Sequence, residues 1–400
     1  MLSVSEATSI IKQHQLTLPT ETVSLTDATG RVLRETVRAD RDFPPFDRVA
    51  MDGIAIRFAD YEAGQRTFHI TGVQRAGQEQ QRLSDAGTCL EAMTGAMVPA
   101  GADTIVRYED ITLTDGQAIV LIDSVQQNQS IHYRATDRHA GDELLPIGTR
   151  LGPTEIAVAA SVGMAVLTVT ALPRVALIST GDELVDVANT PLPYQIRRSN
   201  TYMLRAALAS LGITATLHHI ADDEAVLESE LTTLLANNEI LILSGGVSAG
   251  KADFVPDVLA RLGVQKQFHK VAQRPGKPLW FGTVAGSNPK TVFALPGNPV
   301  STVLCAYRYV LPYLRSSLGL VAEPEHYAQL AAPVNFQPDV TYFLPVRLTS
   351  EPHGNMLAHP LPGSGSADFA NLLNTDAFME LPASQGLFSA GAAFRVWVTR

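Results

Sequence analysis

Several segments between residues 179 and 301 combine glycines with charged side chains, and each of them follows a predicted strand. Their carboxylates are Asp182, Glu183, Asp222 and Asp253, and their cations are Lys251, Lys270, Arg274 and Lys277. Carboxylates and substrate oxygens are the ligands that Mg²⁺ prefers, and cations neutralise phosphate or another oxyanion. The residue types therefore favour a site for a phosphate ester with a bridging Mg²⁺.

The segment 244–253 has the strongest local signal. It follows four consecutive aliphatic residues, which predict a strand buried on both faces, and it precedes a helical pattern. A strand, a glycine loop and a helix together aim backbone N–H groups at one point, which suits an anion. Residues 245–251 also match most of a P-loop, but Ala252 stands where the Mg²⁺-binding hydroxyl belongs, which argues against one. Taken alone, the segment fits a plain strand–helix turn equally well.

Single residues of this set also have simpler interpretations. Asp182, Asp222 and Asp223 each suit a helix N-cap, and Asp223 suits a cap better than a ligand role. Asn298, between rigid prolines, either caps the next helix or faces a ligand. Lys277, also between prolines, suits a solvated turn. The joint pattern carries more weight, because random loops seldom place such residues after nearly every strand.

Alternating strands and helices position these segments. Strands are predicted at 175–178, 213–220, 240–243, near 268, 279–283 and 291–294, and helices at 200–211, 223–236, 255–262 and 300–317. This alternation predicts a mainly parallel, doubly wound sheet with helices on both faces, and such sheets bind ligands at the carboxyl ends of their strands. Pro312 predicts a kink in the last helix.

The regions on either side differ in pattern. Ser3 and Glu6 form a capping box for an N-terminal helix, and residues 17–125 read mostly as strands. A further helix is predicted at 151–162. After residue 320 the helices stop, and strands at 342–348, 376–381 and 394–398 predict a small β-barrel or sandwich.

Composition excludes several classes of protein. The net charge is −10, which disfavours a nucleic-acid partner. The two cysteines, Cys89 and Cys305, lack CxxC spacing, so a disulfide framework and a thiolate metal site are disfavoured. No signal peptide and no apolar run of about 18 residues is apparent. We therefore expect a cytoplasmic protein with no membrane partner.

Six motifs in register resemble the MoeA family, the molybdopterin molybdenumtransferases, to which gephyrin's E domain and the E domain of the plant molybdenum insertase belong. The motifs are Phe46-Asp-Arg-Val-Ala-Met-Asp-Gly53, Met93-Thr-Gly-Ala-Met-Val-Pro99, Ser179-Thr-Gly-Asp-Glu-Leu184, Ser244-Gly-Gly-Val-Ser-Ala-Gly-Lys-Ala-Asp253, Arg274-Pro-Gly-Lys-Pro278 and Leu295-Pro-Gly-Asn-Pro-Val-Ser301. They cover nearly the whole chain.

The resemblance implies a multidomain fold of α/β and β parts. It places an N-terminal region at 1–170 with an inserted β-rich lid at roughly 45–140, a MogA-like molybdopterin-binding α/β domain at 171–318 and a β-barrel at 322–400. The implied reaction inserts molybdenum from molybdate into adenylylated molybdopterin with Mg²⁺ and releases AMP. The implied assembly is a homodimer, and a molybdopterin adenylyltransferase is the upstream partner.

The resemblance also implies roles for individual residues. Asp52 and Thr94 match lid residues of the active cleft. Glu183, Asp222 and Asp253 are assigned to Mg²⁺ and the adenylyl phosphate. With Lys270, these five residues form the expected catalytic set. The expected substrate-binding residues are Ser179, Thr180, Gly181, Gly245, Gly246, Ser248, Gly250, Arg274, Lys277, Pro296, Asn298, Pro299, Arg347 and Ser364.

The chain departs from the family pattern in four places. Arg48-Val49 stands where Asn-Ser is usual, and residues 131–137 replace an arginine-rich stretch, leaving Arg134 and Asp137 as matches. Arg274 replaces a common lysine, and Arg347 stands in for the arginine of a shorter barrel motif.

Two other functions compete with the enzyme. One is a non-catalytic protein of the same fold that binds molybdopterin or serves as a scaffold. The joint retention of Glu183, Asp222, Asp253 and Lys277 favours the enzyme. The other is a stand-alone nucleotidyltransferase of the MogA type, against which the N-terminal 170 residues and the terminal barrel argue.

Overall fold

The computed structural model describes residues 1–247, 254–322, 324–361 and 369–400. The chain divides into two compact units. The larger unit comprises residues 1–34, 147–152 and 166–400, and the smaller unit comprises residues 35–146 and 153–165. Among the described residues, no helix combines the length and the apolar character that a bilayer span requires.

A six-stranded sheet forms the centre of the larger unit. Its strands are β1 (Val175–Thr180), β2 (Ala215–Ile220), β3 (Ile240–Ser244), β4 (Gln265–His269), β5 (Trp280–Val284) and β6 (Lys290–Leu295), in the order β2-β1-β3-β6-β5-β4. Strands β2, β1, β3 and β6 are parallel, whereas β5 is antiparallel to both of its neighbours. The predicted mainly parallel sheet is confirmed, with one reversed strand.

Helices cover both faces of this sheet. They are α1 (Val4–Gln13), α2 (Asn200–Ala209), α3 (Glu224–Asn237), α4 (Val255–Arg261), α5 (Pro299–Cys305) and α6 (Leu311–Ser317). Successive side chains of a strand point to opposite faces. In β3, Ile240 and Ile242 pack with α1, α2 and α5, and Leu241 and Leu243 pack with α3 and α4. The aliphatic run of β3 is therefore buried on both sides, as predicted.

Two helices begin at the capping residues that the sequence predicts. The Ser3 hydroxyl accepts the backbone N–H of Glu6, and the Glu6 carboxylate accepts the backbone N–H of Ser3 at 2.7 Å, which confirms the capping box of α1. The Asp223 carboxylate accepts the Val226 N–H at 2.9 Å at the start of α3. Asp223 is therefore a helix cap, as expected.

The last long helix changes its winding just before Pro312, and the predicted kink at that residue stays a prediction. Between α5 and α6, residues Ala306–Val310 form a π-helical turn. Proline cannot donate a backbone hydrogen bond, and its ring clashes with the carbonyl four residues earlier, here that of Arg308. The wider turn lies immediately before Pro312 and includes Arg308 and Tyr309, both of which are buried.

Five strands near the C-terminus close into a barrel. They are β7 (His326–Leu330), β8 (Thr341–Ser350), β9 (Met356–Pro360), β10 (Ala377–Leu381) and β11 (Ala393–Val398), and the ring runs β8-β9-β7-β11-β10 and back to β8. Its interior includes the buried side chains of Leu344, Val346, Met379 and Val396. Of the two predicted forms, barrel or sandwich, the structure has the barrel.

Shorter strands complete the larger unit. They are Thr20–Ser24 with Val166–Thr170, Leu184–Val185 with Ile196–Arg197, Gln273–Arg274 on β8, and Val334–Asn335 with Leu387–Phe388.

The smaller unit contains a second six-stranded sheet. In spatial order its strands are Thr104–Arg107, Gly53–Ile56, Thr88–Ala92, Thr67–Gln74, Gln117–Val120 and Ile111–Thr114. The unit also contains the helices Phe58–Glu62 and Pro153–Ser161 and the short strands Val37–Arg38, Arg48–Val49, Ile131–His132 and Glu143–Leu145. This β-rich content agrees with the strand pattern of the sequence.

Both cysteines are fully buried, Cys89 in the smaller unit and Cys305 at the end of α5. Removal from water raises the pKa of each thiol to about 12. Neither residue forms a disulfide.

Candidate functional site

A cavity of about 450 Å³ lies at the carboxyl edge of the central sheet. The segments after β1, β2, β3 and β6 and the residue Pro278 before β5 line it. The lining residues are Thr180, Gly181, Glu183, Asp222, Gly245, Gly246, Val247, Pro278, Pro296, Gly297 and Asn298. We call this cavity the crevice. Ser248, Gly250, Lys251 and Asp253, expected in the same segment as Gly245, lie outside the described residues.

The glycine pair after β3 approaches the end of β1 closely. A Cβ atom on Gly245 would lie 2.9 Å from the carbonyl oxygen of Thr180, and one on Gly246 would lie 2.9 Å from the Thr180 hydroxyl. Both glycines also have positive φ, 104° and 67°, which L side chains rarely adopt. The geometry therefore requires glycine at both positions.

Thr180 lines the crevice, and its hydroxyl is buried against Gly245 and Gly246. Thr180 is 5% exposed, and its Oγ1 has no hydrogen-bond partner among the described residues. Most buried polar groups in proteins are paired, so an unpaired hydroxyl lining a cavity points to a ligand. It can donate a hydrogen bond to a phosphate oxygen.

Two of the three predicted metal-binding carboxylates line the crevice. These are Glu183 and Asp222, and both residues are exposed. Asp182 accepts the Asp222 backbone N–H at 3.1 Å, so it orients the Asp222 segment rather than facing the crevice as a ligand. Mg²⁺ is commonly held by one or two carboxylates plus substrate phosphate oxygens, which fits this pair. Within the described part of the chain, no group of three or more His, Cys, Asp or Glu residues is arranged to hold an ion.

Three of the four expected cations are described by the structure, and none of the three is among the crevice-lining residues. Lys270 follows β4 with a φ of 73° and is half-buried. Lys277 is exposed and immediately precedes Pro278, which lines the crevice. Arg274 pairs with Tyr342 of the barrel, and its guanidinium carbon lies 5.9 Å from the ring centroid of Phe336. The structure thus places Arg274 beside the barrel.

Two other expected binding residues have different surroundings. The Ser179 hydroxyl donates to the carbonyl of His218 at 3.2 Å and lies 3.1 Å from His219 Nδ1, so it faces the neighbouring strand β2. Asn298 occupies the N-cap position of α5, but its side chain makes no capping hydrogen bond, and the residue lines the crevice. The ligand-facing role of Asn298 stays a prediction. Pro296 also lines the crevice, and Pro299 begins α5.

In the barrel, Arg347 is exposed on β8 opposite His359, and Ser364 lies outside the described residues.

In the smaller unit, Asp52 and Thr94 are directly bonded. The Thr94 backbone N–H and hydroxyl both donate to Asp52 Oδ1, at 2.6 and 2.7 Å. These bonds stabilise the charged carboxylate and hold the pKa of Asp52 below its usual value of 3.8. The sequence placed both residues in a lid, and the structure joins them into one polar pair.

We expect Asp52→Asn to reduce stability in a pH-dependent way. A carboxyl group whose pKa is lower in the folded state stabilises the fold above its unfolded pKa, and this contribution disappears as pH falls through the folded pKa. The wild type should therefore melt at a higher temperature than the variant at pH 6–7, and the gap should close below about pH 4. Asp123→Asn, at a side chain that is 99% exposed, is the control and should show no such trend. A gap that is constant from pH 3 to 7 would contradict the assignment.

Two of the departures from the family pattern lie against each other. Strand Arg48–Val49 pairs with strand Ile131–His132. The Arg48 guanidinium lies 3.0 Å from His132 Nδ1, and His132 Nε2 lies 3.1 Å from Asp137. The substitutions at these two sequence positions thus form one contact network.

Sequence reasoning missed Asn200, which ties two crevice loops together. Its side-chain amide donates to the Ser244 hydroxyl at 2.9 Å and to the Gly297 carbonyl at 2.7 Å. Asn200 is the first residue of α2 and was interpreted only as part of that helix. Its position opposite the ends of β3 and β6 arises from tertiary packing, so the local sequence held no signal for it.

The fold and crevice define a multidomain α/β protein with a site suited to a phosphate-containing ligand. Comparison with known families makes this specific. Residues 2–163 match the MoeA N-terminal region (domains I and II), residues 176–316 match a probable molybdopterin binding domain, and residues 327–399 match the MoeA C-terminal region (domain IV). The chain belongs to the MoeA family.

Individual relatives agree with this membership. The chain is 38% identical over 396 residues to a molybdopterin molybdenumtransferase from Synechocystis sp., covering 98% of this chain and 99% of the relative. It is 30% identical to the Haemophilus influenzae protein of the same name, covering 98% and 97%. A solved structure of the molybdopterin biosynthesis MoeA protein from Pyrococcus horikoshii superimposes with a TM-score of 0.83 at 28% identity, covering 100% of this chain and 99% of that one.

Proposed function

We propose that this protein inserts molybdenum from molybdate into adenylylated molybdopterin and releases AMP in an Mg²⁺-dependent reaction. It is a transferase of molybdenum cofactor biosynthesis. The observation that carries the proposal is the crevice, which two carboxylates, a glycine pair and Thr180 line, in a chain related over its full length to molybdopterin molybdenumtransferases. The buried Thr180 hydroxyl has no partner in the part of the chain that the structure describes.

Some crevice residues would bind the phosphate, and others would bind the metal ion. The Thr180 hydroxyl donates to a phosphate oxygen, and Gly245 and Gly246 let the chain approach the ligand without side-chain obstruction. Glu183 and Asp222 would hold Mg²⁺, which would neutralise the charge that develops on the phosphate as AMP leaves. Lys277, beside the crevice, supplies positive charge for the phosphate or for molybdate.

The decisive test is AMP release from adenylylated molybdopterin in the presence of Mg²⁺ and molybdate. We expect the wild type to release AMP and to form cofactor that activates a molybdenum-free apoenzyme. Glu183→Gln should lower the rate by roughly 100-fold, because one Mg²⁺ ligand loses its charge. Glu230→Gln, on the exposed surface of α3, is the matched control and should retain full activity.

The outcome separates the enzyme from its alternative. Tight binding of molybdopterin by the wild type without AMP release would overturn the transferase and favour the non-catalytic binding or scaffold protein. Equal activity of the wild type and Glu183→Gln would remove Glu183 from the metal site.

The proposed assembly is a homodimer that acts in the cytoplasm, downstream of a molybdopterin adenylyltransferase. Light scattering of the purified protein should then give about twice the chain mass of 43.0 kDa. A mass equal to that of one chain at micromolar concentration would exclude the dimer.

A further inference from the structure

We propose that a buried hydrogen bond between Tyr309 and Gln273 positions the segment Arg274–Pro278 at the crevice. We call residues 274–278 the basic loop. Tyr309 and Gln273 do not line the crevice, so they act as positioning residues for anion binding. The inference rests on the proposed function for the identity of the ligand, and its test uses binding as well as turnover.

The Gln273 side chain connects the basic loop to the π-helical turn. Its Nε2 donates to the carbonyl of Gly276 at 3.2 Å, and its Oε1 accepts the hydroxyl of Tyr309. Gln273 and Tyr309 are each 2% exposed. A hydrogen bond removed from water in this way is costly to break, because each partner then remains unpaired.

Close packing against Gln273 and Cys305 also restricts the basic loop. Gly276 has a φ of 88°, and a Cβ atom there would lie 2.7 Å from Gln273 Nε2 and 2.9 Å from Cys305 Sγ. The backbone N–H of Val271 donates to the Lys277 carbonyl at 2.9 Å, which closes the loop. Two contacts therefore tie the loop's backbone at Gly276 to the helices behind it. One runs through Gln273 to Tyr309, and in the other the Cys305 thiol donates to the Gly276 carbonyl at 4.0 Å.

The loop reaches the crevice at its other end. Pro278 lines the crevice, and Lys277 precedes it. Gly276 and Lys277 are joined by one peptide bond and lie between Pro275 and Pro278, which restrict the backbone on either side, so a shift of Gly276 also moves the Lys277 backbone. Tyr309 thus controls where the positive charge of Lys277 stands relative to a bound phosphate or molybdate.

Tyr313 provides a matched control in the same helical run. It is also 2% exposed, and its hydroxyl lies 2.6 Å from the Thr291 hydroxyl. Thr291 is near the start of β6, at the opposite edge of the sheet from the crevice. Tyr313→Phe therefore removes a comparable buried hydrogen bond without touching the basic loop.

The experiment compares Tyr309→Phe with Tyr313→Phe by calorimetric titration of AMP in the presence of Mg²⁺, and then by the KM for molybdate in AMP release. We expect Tyr309→Phe to weaken AMP binding and to raise the KM for molybdate by roughly 5- to 30-fold, as the loss of one buried hydrogen bond allows. Tyr313→Phe should lower the melting temperature while leaving both ligand values within twofold of the wild type.

A double variant separates positioning from packing. Gln273→Met with Tyr309→Phe leaves neither partner unpaired, so the melting temperature should recover toward that of the wild type. The Gly276 carbonyl then loses its Gln273 donor and keeps only the Cys305 thiol among the described residues, so AMP binding should stay weak. Recovery of binding along with stability would overturn the proposal, as would equal ligand effects of Tyr309→Phe and Tyr313→Phe.

The positioning role of Tyr309 and the proposed molybdenum-insertion reaction can be refuted separately. Wild-type protein that binds AMP but releases none from adenylylated molybdopterin would refute the reaction, whereas the contrast between the two tyrosine variants in AMP binding would still decide the role of Tyr309. Failure of the wild type to bind AMP would overturn both.

Discussion

Replacement of Gly245 by alanine is expected to lower AMP release by about 100-fold, the cost of displacing a binding loop by about 1 Å. The new Cβ would lie 2.9 Å from the carbonyl oxygen of Thr180, a backbone atom that cannot move aside cheaply. Its φ of 104° would add strain of roughly 1–3 kcal/mol. The loop must therefore move away from the end of β1, where Thr180 lies.

Gly297→Ala is the matched control, because Gly297 lines the same crevice. Among the described residues, a Cβ atom there would meet only the Gly245 Cα, at 3.7 Å, which is an ordinary contact. Initial rates of AMP release and the melting temperature of both variants provide the comparison. Comparable loss in the two variants would mean that bulk in the crevice, rather than the geometry of Gly245, is the sensitive feature.

The second large effect is expected on stability, at Gly53 of the smaller unit. Strand Gly53–Ile56 lies between two neighbours in its sheet, and a Cβ on Gly53 would stand 1.9 Å from the carbonyl oxygen of Val106. Since the obstruction is backbone, Gly53→Ala must separate this strand from Thr104–Arg107. We expect destabilisation of roughly 3 kcal/mol or more.

Hydrogen exchange read by mass spectrometry can locate this damage. Amide protection should fall across 53–107 and persist in the central sheet of the larger unit. Gly72→Ala, in the same sheet, is the control, because among the residues that the structure describes its Cβ would meet only side-chain atoms of Leu90 and Gln81, at 3.0 and 3.2 Å. Unchanged protection at 53–107 in Gly53→Ala would contradict the expected clash.

Local patterns in the sequence sufficed for much of the central sheet. The aliphatic run of β3 predicted a doubly buried strand, and the polar residue before α3 predicted its cap, because both depend on neighbouring residues alone. The reversed direction of β5 was missed, although the spacing held a signal. Only five residues separate β5 from β6, too few for the crossover that parallel strands require.

The site was only partly predictable for a related reason. Thr180, Glu183, Asp222 and Gly245 follow strands whose carboxyl ends share one edge, so topology alone brought them together. Arg274 was grouped with Lys277 because their segment follows a predicted strand, yet its two-residue strand pairs with Thr341–Tyr342 far along the sequence. Such pairings depend on tertiary packing, and sequence motifs alone do not predict them.

The same limit applies to the supporting residues. Gln273 and Tyr309 are 36 positions apart, and neither stands in a motif with a distinctive spacing. The sequence around Asn200 indicates only the start of a helix. All three residues act through hydrogen bonds to partners that are distant in the sequence, so local patterns do not reveal them.

The burial of both thiols has a practical consequence for labelling. The thiolate is the form of cysteine that attacks alkylating reagents, and a pKa of about 12 keeps the buried Cys89 and Cys305 protonated at neutral pH. We therefore expect neither native cysteine to react with maleimides in the folded protein. A cysteine placed at Tyr194, which is 73% exposed, would accept a fluorophore alone. A pair of such cysteines, one in each compact unit, would allow the distance between the units to be followed by energy transfer without removing either native residue.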